Sequence, residues 1–341
     1  MAIKSFNLQN FGPLASIQGI NLGKINLIIG ANSTGKTFLL KALYSVMRSL
    51  EECNRGDDRR TFDEVLSDKL YWTFQADKLG DLVTKGANNR LQCQVSMQDS
   101  SKVDFEFGQD TTKKIVVAES EGHYRKDNSV FLPPKEVLSL SKVILKSGLQ
   151  DRVFGFDATY VDLVLALQSP LQRGRNYDNF STSRQKLEGM FSGRIEFDQS
   201  NDKWIYKQGN SKFSINTTAE GIKKIGIFDT LLGNRYLTPE SVIFIDEPES
   251  ALHPTAISQL LDIILALADN GIQFFIATHS YFVIKKLYIL ARGNKLSLPV
   301  FIANQDNQWQ QADLFDGMPE NEIINESIRL YEAELDTLAW G

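Results

Sequence analysis

Residues 30–37, Gly-Ala-Asn-Ser-Thr-Gly-Lys-Thr, have the types and spacing needed to hold a chain of phosphates. They match the pattern GxxxxGK[ST], directly after an apolar run predicted as a buried strand and directly before a predicted helix. Glycines let the backbone wrap closely around phosphates, while successive N–H groups and the positive end of the helix face the anion. Lys36 is expected to neutralise the β- and γ-phosphates of ATP, and Thr37 to place its hydroxyl on Mg²⁺. The candidate nucleotide-binding residues are Gly30, Ala31, Asn32, Ser33, Thr34, Gly35, Lys36 and Thr37.

A second stretch, VIFIDEPE at 242–249, delivers two adjacent carboxylates to the end of an apolar strand. Ligands of open α/β sheets collect at the carboxyl ends of the strands. Two neighbouring carboxylates repel each other, so their position at a strand end favours a cation nearby. Asp246 is the predicted Mg²⁺ ligand, directly or through water, and Glu247 is the predicted general base for the attacking water.

The stretch FFIATHS at 274–280 is another apolar run, and it ends in the polar side chain of His279. One predicted helix separates it from the strand that ends at Asp246, so the two strands should be neighbours in the sheet. His279 could then reach the γ-phosphate or the water held by Glu247. A lone histidine is more often structural, but this position favours a catalytic role.

The elements around these motifs predict an α/β fold. In the C-terminal third, predicted strands alternate with predicted helices, which is typical of a mostly parallel sheet with helices on both faces. Earlier in the chain, alternating polar and apolar residues predict antiparallel strands with one wet face. The antiparallel candidates lie at 91–97, 102–107 and 114–120, with shorter strands at 194–198, 203–207 and 212–215. Helices are predicted at 136–145 and 158–168, and the polar stretch 168–186 is predicted as a loop.

The composition limits which cellular compartment and which kinds of partner are expected. Two cysteines without metal-ligand spacing suit a reducing compartment. No apolar span is long enough to cross a membrane, so a cytoplasmic protein is expected. The formal net charge of -5 argues against a surface that is basic all over, although a local nucleic-acid patch stays possible.

Together these motifs resemble those of the ABC-class ATPases, in the branch that contains the SMC-type, RecF-like and OLD-type proteins. The resemblance rests on GANSTGKT, on DEPESALHP at 246–254, on the histidine of ATHS and on the opening strand IKSFNLQNFGPL at 3–14. It implies a P-loop NTPase with an ABC-type core: a mostly parallel central sheet flanked by helices, plus an antiparallel β subdomain. The chain would form one domain, with the core at about 1–50 and 213–341 and a helical/β insertion lobe at about 51–212.

In this family two protomers sandwich two ATP molecules, and the signature helix of one faces the P-loop of the other. The resemblance therefore implies a homodimer or higher oligomer, with Glu220 and Gly221 binding the nucleotide of the partner protomer. The family pattern has a serine at the position of Ala219, so this chain lacks that hydroxyl donor. Thr217 and Thr218 lie close in the sequence and are candidate substitutes for it. The segment SVFLPPKE at 129–136 is the expected place of the Gln-loop, without a glutamine.

The resemblance also bears on biological role. We expect no OLD-type nuclease domain after His279, because the remaining residues lack a clustered carboxylate set. Compact ATPases of this kind are often encoded in prokaryotic anti-phage or mobile-element systems, where they control a separate effector such as a nuclease or toxin. A DNA-binding repair ATPase of the RecF or SMC kind is the first alternative. A nucleotide-binding scaffold with degenerate hydrolysis is the second.

Overall fold

The computed structural model describes residues 2–339 except 54, 57–58, 87–88, 122–124, 171–176 and 305–307. Within this part of the chain, the strands form three sheets. Helices cover the largest sheet, and the smallest sheet packs beside them. The helices are α1 (Lys36–Glu52), α2 (Phe62–Phe74), α3 (Ser141–Leu145), α4 (Ala158–Gln168), α5 (Asp178–Phe191), α6 (Glu220–Gly233), α7 (Pro254–Asp269), α8 (Tyr281–Asn294) and α9 (Glu322–Ala339).

The central sheet carries the ends of the strands that the sequence motifs follow. Its strands are β3 (Ile25–Gly30), β7 (Ser129–Leu132), β11 (Val242–Asp246), β12 (Gln273–Thr278), β13 (Pro299–Ala303) and β14 (Trp309–Asp313). Their order is β14-β13-β3-β12-β11-β7, and all neighbours pair in parallel except the edge strand β14. Strand β12 thus lies between β3 and β11, so His279 follows the strand that separates the glycine turn from Asp246.

The second sheet is antiparallel and has the strand order β2-β1-β4-β5-β6. Its strands are β1 (Ile3–Phe11), β2 (Leu14–Gly19), β4 (Leu91–Met97), β5 (Lys102–Phe107) and β6 (Val116–Glu121). Strands β4 and β5 alternate buried and more exposed residues, as expected for a sheet with one wet face. A third, smaller antiparallel sheet consists of β8 (Arg194–Asp198), β9 (Lys203–Gln208) and β10 (Ser211–Ser214).

Apolar residues alternate between the two faces of the central sheet and build a core on each side. In β11, Ile243 and Ile245 face one core, whereas Val242 and Phe244 face the other. The first core contains residues of α4–α8, and the second contains α1, α2 and the apolar face of the antiparallel sheet. Strands buried on both faces have no polar alternation, which explains why β3, β11 and β12 are mostly apolar along their length.

The predicted fold class is confirmed: the structure is an α/β P-loop fold with a mostly parallel central sheet and an antiparallel subdomain. The prediction that the strand before Asp246 and the strand before His279 are neighbours is also confirmed, since Asp246 is in register with Ala277.

Two local predictions are wrong. The segment 168–186 is not a loop throughout, because α5 begins at Asp178; residues 171–176 lie outside the described part. The helix predicted at 136–145 begins only at Ser141, because the Glu136 carboxylate accepts the Ser139 N–H at 2.9 Å and closes a turn there.

Strand pairing bears on the predicted insertion lobe at about 51–212. The segment 51–212 contains β4, β5 and β6, which extend the sheet of β1, and β7, which pairs with β11. Backbone hydrogen bonds therefore tie much of this segment to the two larger sheets. We propose that the lobe is smaller, about 141–214, and comprises α3–α5 and the three-stranded sheet. In the described part of the chain, no helix combines the length and apolar character needed to cross a membrane.

Candidate nucleotide-binding site

The turn between β3 and α1 has a backbone that its glycines make possible. Gly30 and Gly35 have φ values of 156° and 94°, which side chains other than glycine rarely adopt. A Cβ on Gly30 would lie 2.9 Å from the Ala303 Cβ, and one on Gly35 would lie 2.8 Å from Leu14 Cδ2. The turn therefore requires glycine at both positions, and it leaves its backbone open to close approach by a ligand.

The Lys36 side chain folds back over this turn. Its ammonium donates to the carbonyl oxygens of Gly30 at 2.9 Å and Ala31 at 2.7 Å. Burial lowers the pKa of Lys36, and the nearby carboxylates of Asp246, Glu247 and Glu249 oppose this shift. An ammonium has three donors, so Lys36 retains one for a phosphate oxygen.

Thr37 joins the glycine turn to the carboxylate at the end of β11. Its hydroxyl donates to Asp246 Oδ2 at 2.7 Å, although the two residues are far apart in sequence. Burial raises the pKa of Asp246, and the hydrogen bond from Thr37 opposes this. A hydroxyl and a carboxylate side by side are the hard oxygen ligands that Mg²⁺ prefers, with the remaining positions filled by phosphate and water. The residues present therefore fit Mg²⁺–ATP.

Glu247 and His279 lie next to this pair. The His279 Nδ1 is 3.3 Å from Glu247 Oε1, and both side chains are partly exposed. Glu247 adopts a left-handed φ of 51°, which is uncommon for a residue with a side chain. Its N–H donates to the Ala277 carbonyl at 2.9 Å, so β12 fixes the position of the backbone. The structure thus brings together the carboxylate and the imidazole that the sequence predicts as catalytic.

Sequence reasoning missed Glu249, a third carboxylate beside the site. Its Oε1 accepts the Thr278 hydroxyl at 2.6 Å and lies 3.9 Å from His279 Nδ1. Its Oε2 is buried and has no hydrogen-bond partner among the described residues. Glu249 and Glu247 therefore both face the same ring nitrogen of His279. The sequence contains a signal for Glu249 in DEPE. There it follows Glu247 by two residues, so the chain can bring its side chain back to the same edge of the sheet.

The predicted signature residues lie at the start of α6. Among the described residues, neither Glu220 nor Gly221 hydrogen-bonds to the turn 30–37; Glu220 pairs with Lys223 at 2.8 Å instead. A Cβ on Gly221 would lie 3.1 Å from the Ala251 carbonyl oxygen, so the helix packs closely on the turn that follows Glu247. Ala219 is the N-cap and offers no side-chain hydrogen bond.

The two threonines considered as substitutes for a signature serine face elsewhere. Both Thr217 and Thr218 donate their hydroxyls to the Ser214 carbonyl, at 3.0 and 2.9 Å. They close the turn before α6. A contribution from them to a phosphate site would require these bonds to break.

The segment after β7 reaches the same end of the sheet. A cavity of about 340 Å³ adjoins Thr37, Asp246 and Glu247, and Pro133 and Pro134 line its other side. The carbonyl of Pro134 accepts the Ser250 hydroxyl at 2.8 Å. The segment expected to hold the Gln-loop therefore borders the candidate metal position, and it does so without a glutamine.

Two family models match separate parts of the sequence. Residues 1–147 match a model described as "AAA ATPase domain", and residues 166–285 match one described as "AAA domain, putative AbiEii toxin, Type IV TA system". No curated protein matches the sequence.

Solved structures resemble most of the chain. An SMC head bound to the C-winged helix domain of ScpA has a TM-score of 0.57 at 14% identity, covering 92% of this chain and 97% of its own. An Smc head domain with an extended coiled coil, bound to the C-terminal domain of ScpA from Pyrococcus furiosus, has a TM-score of 0.53 at 12% identity. That match covers 97% of this chain and 99% of the other. At such identities the likeness concerns the fold.

The chain has the fold of the SMC heads, and two AAA ATPase family models match separate parts of it; together these findings support an ABC/SMC-like P-loop ATPase. The resemblance drawn from the sequence is thereby confirmed at the level of this class.

Proposed function

We propose that the protein hydrolyses ATP with Mg²⁺ and uses the cycle as a molecular switch. The observation that carries this proposal is the 2.7 Å hydrogen bond between Thr37 and Asp246, with Glu247 and His279 beside it. These four side chains lie at or shortly after the ends of three strands of one sheet, with Thr37 in the first turn of α1. Their convergence supports a site for phosphoryl transfer, because such catalysis depends chiefly on positioning and charge stabilisation.

Each residue has a distinct role in the proposed reaction. Lys36 and the N–H groups of the glycine turn bind the β- and γ-phosphates. Thr37 and Asp246 hold Mg²⁺, which when bound supplies charge neutralisation on the phosphate oxygens. Glu247 accepts a proton from the attacking water, and His279 hydrogen-bonds to the γ-phosphate or to that water. Glu249 keeps His279 in position.

We further propose that ATP closes two protomers into a sandwich and that the closed dimer controls a separate effector. Glu220 and Gly221 lie at the start of α6 and, among the described residues, make no hydrogen bond to their own glycine turn, which fits a role toward the nucleotide of a partner protomer. The similar SMC heads are described as bound to domains of another protein, ScpA, which supports an external partner. The family description naming a type IV toxin–antitoxin system fits a toxin-linked or anti-phage setting.

The Glu247→Gln variant tests hydrolysis and closure together. It keeps the shape of the side chain and removes the base, so it should bind ATP, lose turnover and accumulate as a dimer. The measurements are phosphate release and light scattering after size exclusion, with Mg²⁺–ATP. Glu332→Gln, on the exposed surface of α9, is the control and should behave as wild type. If Glu247→Gln stays monomeric and turns over ATP like wild type, both parts of the proposal fail.

A nucleotide-binding scaffold with degenerate hydrolysis is the second candidate. One observation favours it: the N-cap of α6 is Ala219, whose side chain offers no hydroxyl to a phosphate. Turnover separates the two functions. A wild-type rate above that of Glu247→Gln supports the ATPase, and equal rates with intact ATP binding support the scaffold.

A further inference from the structure

A partly buried lysine of α6, Lys224, contacts the turn that carries Glu247. The Lys224 ammonium donates to the Glu247 carbonyl at 2.5 Å and lies 3.4 Å from both the carbonyl and the hydroxyl oxygen of Ser250. None of these atoms belongs to the glycine turn. Lys224 therefore contacts the candidate general base through the main chain alone.

This turn has a backbone that needs support. Glu247 and Ala251 both have left-handed φ values, 51° and 63°, and each costs free energy because neither residue is glycine. Within the turn, the Ser250 N–H donates to the Glu247 carbonyl at 3.1 Å. The Ser250 hydroxyl holds the other side by donating to Pro134. Lys224 thus adds a charged donor to a carbonyl whose peptide unit is held in an uncommon conformation.

The charges around Lys224 fit the same role. Burial lowers its pKa to about 8, while Glu249, Glu247 and Asp246 oppose this shift. A cation among three carboxylates reduces their mutual repulsion. Partial burial of an ammonium costs free energy, and the hydrogen bonds from Lys224 to Glu247 and Ser250 offset part of that cost.

We propose that Lys224 is a positioning residue: its ammonium holds the 247–250 backbone so that the Glu247 carboxylate stays beside His279. The inference rests on the proposed ATPase function. Lys224 lies three residues after Gly221 on α6. Its side chain therefore also links the start of this helix, where Glu220 and Gly221 lie, to the general base.

The test compares Lys224→Met with Lys224→Arg, which keeps a charged donor. Lys286→Met is the matched control, since Lys286 is a half-buried helix lysine that pairs with Asp262 at 2.7 Å on α7. Loss of a hydrogen bond to a charged donor is worth about a tenfold to hundredfold change, so kcat of Lys224→Met should fall by that factor. KM for ATP should stay within about twofold of wild type, because Lys224 does not touch the glycine turn. Lys224→Arg should recover part of the loss.

Hydrogen exchange gives a readout that does not need turnover. In Lys224→Met without nucleotide, the amides of Glu247 and of 249–252 should exchange about tenfold faster than in wild type or Lys286→Met. Unchanged exchange in this segment would overturn the inference, as would a loss of activity expressed only in KM. If wild type shows no turnover above Glu247→Gln, the proposed function fails, and the exchange result alone decides whether Lys224 holds the turn.

Discussion

Replacing Thr37 with valine removes one hydroxyl while keeping the shape of the side chain. The hydroxyl donates to Asp246 at 2.7 Å, and only 3% of Asp246 is exposed. A hydrogen bond to a charged group contributes about 1.5 to 3 kcal/mol, and Thr37 itself is exposed, so water can replace part of it. We expect Thr37→Val without nucleotide to lose about 1.5 kcal/mol of unfolding free energy, at the low end of that range.

The effect on ligand binding should be larger and specific to Mg²⁺. ATP affinity is measured by titration calorimetry with Mg²⁺ and again with a chelator. Wild type should bind ATP much more tightly when Mg²⁺ is present. In Thr37→Val that difference should shrink by about tenfold or more, because the metal loses a ligand. Thr37→Ser keeps the hydroxyl and should retain both the stability and the Mg²⁺ effect.

One result would refute this reasoning. If Thr37→Val unfolds at the same urea concentration as wild type and Mg²⁺ still tightens ATP binding to the same extent, Thr37 neither holds Asp246 nor binds the metal. The hydrogen bond would then be incidental to the site.

The other predictions concern the glycine turn and Lys224. Lys36→Ala should weaken ATP binding about a hundredfold with or without Mg²⁺, because the phosphates lose a buried ammonium; undiminished affinity in calorimetry would contradict this. Gly35→Ala should weaken it about tenfold or more, since φ is 94° and the new Cβ would meet Leu14; the same titration checks it. Lys224 has a folded pKa of about 8, below its unfolded value of 10.5, so its burial cost is fully present below pH 8 and is lost as pH rises toward 10.5. Between pH 8 and 10.5, wild type should therefore gain about 3 kcal/mol of unfolding free energy relative to Lys224→Met, as measured by urea unfolding. A difference in unfolding free energy between the two proteins that stays constant with pH would contradict the burial of a charged Lys224.

The motif residues of the candidate site could be located from the sequence because each group is contiguous and follows an apolar strand. In a parallel sheet the carboxyl ends of neighbouring strands meet at one edge, so Thr37, Asp246, Glu247 and His279 converge once the strand order is known. No comparable local pattern marks Lys224, and the only local signal for Glu249 is its place in DEPE. Their roles depend on the packing of α6 against the 247–252 turn and on the path of that turn, which are tertiary features.

The elements that the sequence did not predict also lack a clear local signal, because their positions depend on tertiary packing. Helix α5 buries Phe180, Leu187 and Phe191 at helical spacing, but polar residues between them hid the stripe. Strand β14 is an edge strand with mostly exposed residues, so it lacks an apolar run. Nothing local in the segment 129–136 predicts that its strand, β7, pairs with β11 at the edge of the central sheet.

The central claim is that Mg²⁺–ATP is held between the glycine turn and the end of β11. A crystal structure with Mg²⁺ and a non-hydrolysable ATP analogue tests it most directly. The account predicts a phosphate oxygen within hydrogen-bond distance of Lys36 Nζ and a metal ion bound to Thr37 Oγ1 with Asp246 in its coordination sphere, directly or through water. A nucleotide bound elsewhere, or a metal ion remote from Thr37 and Asp246, would contradict it.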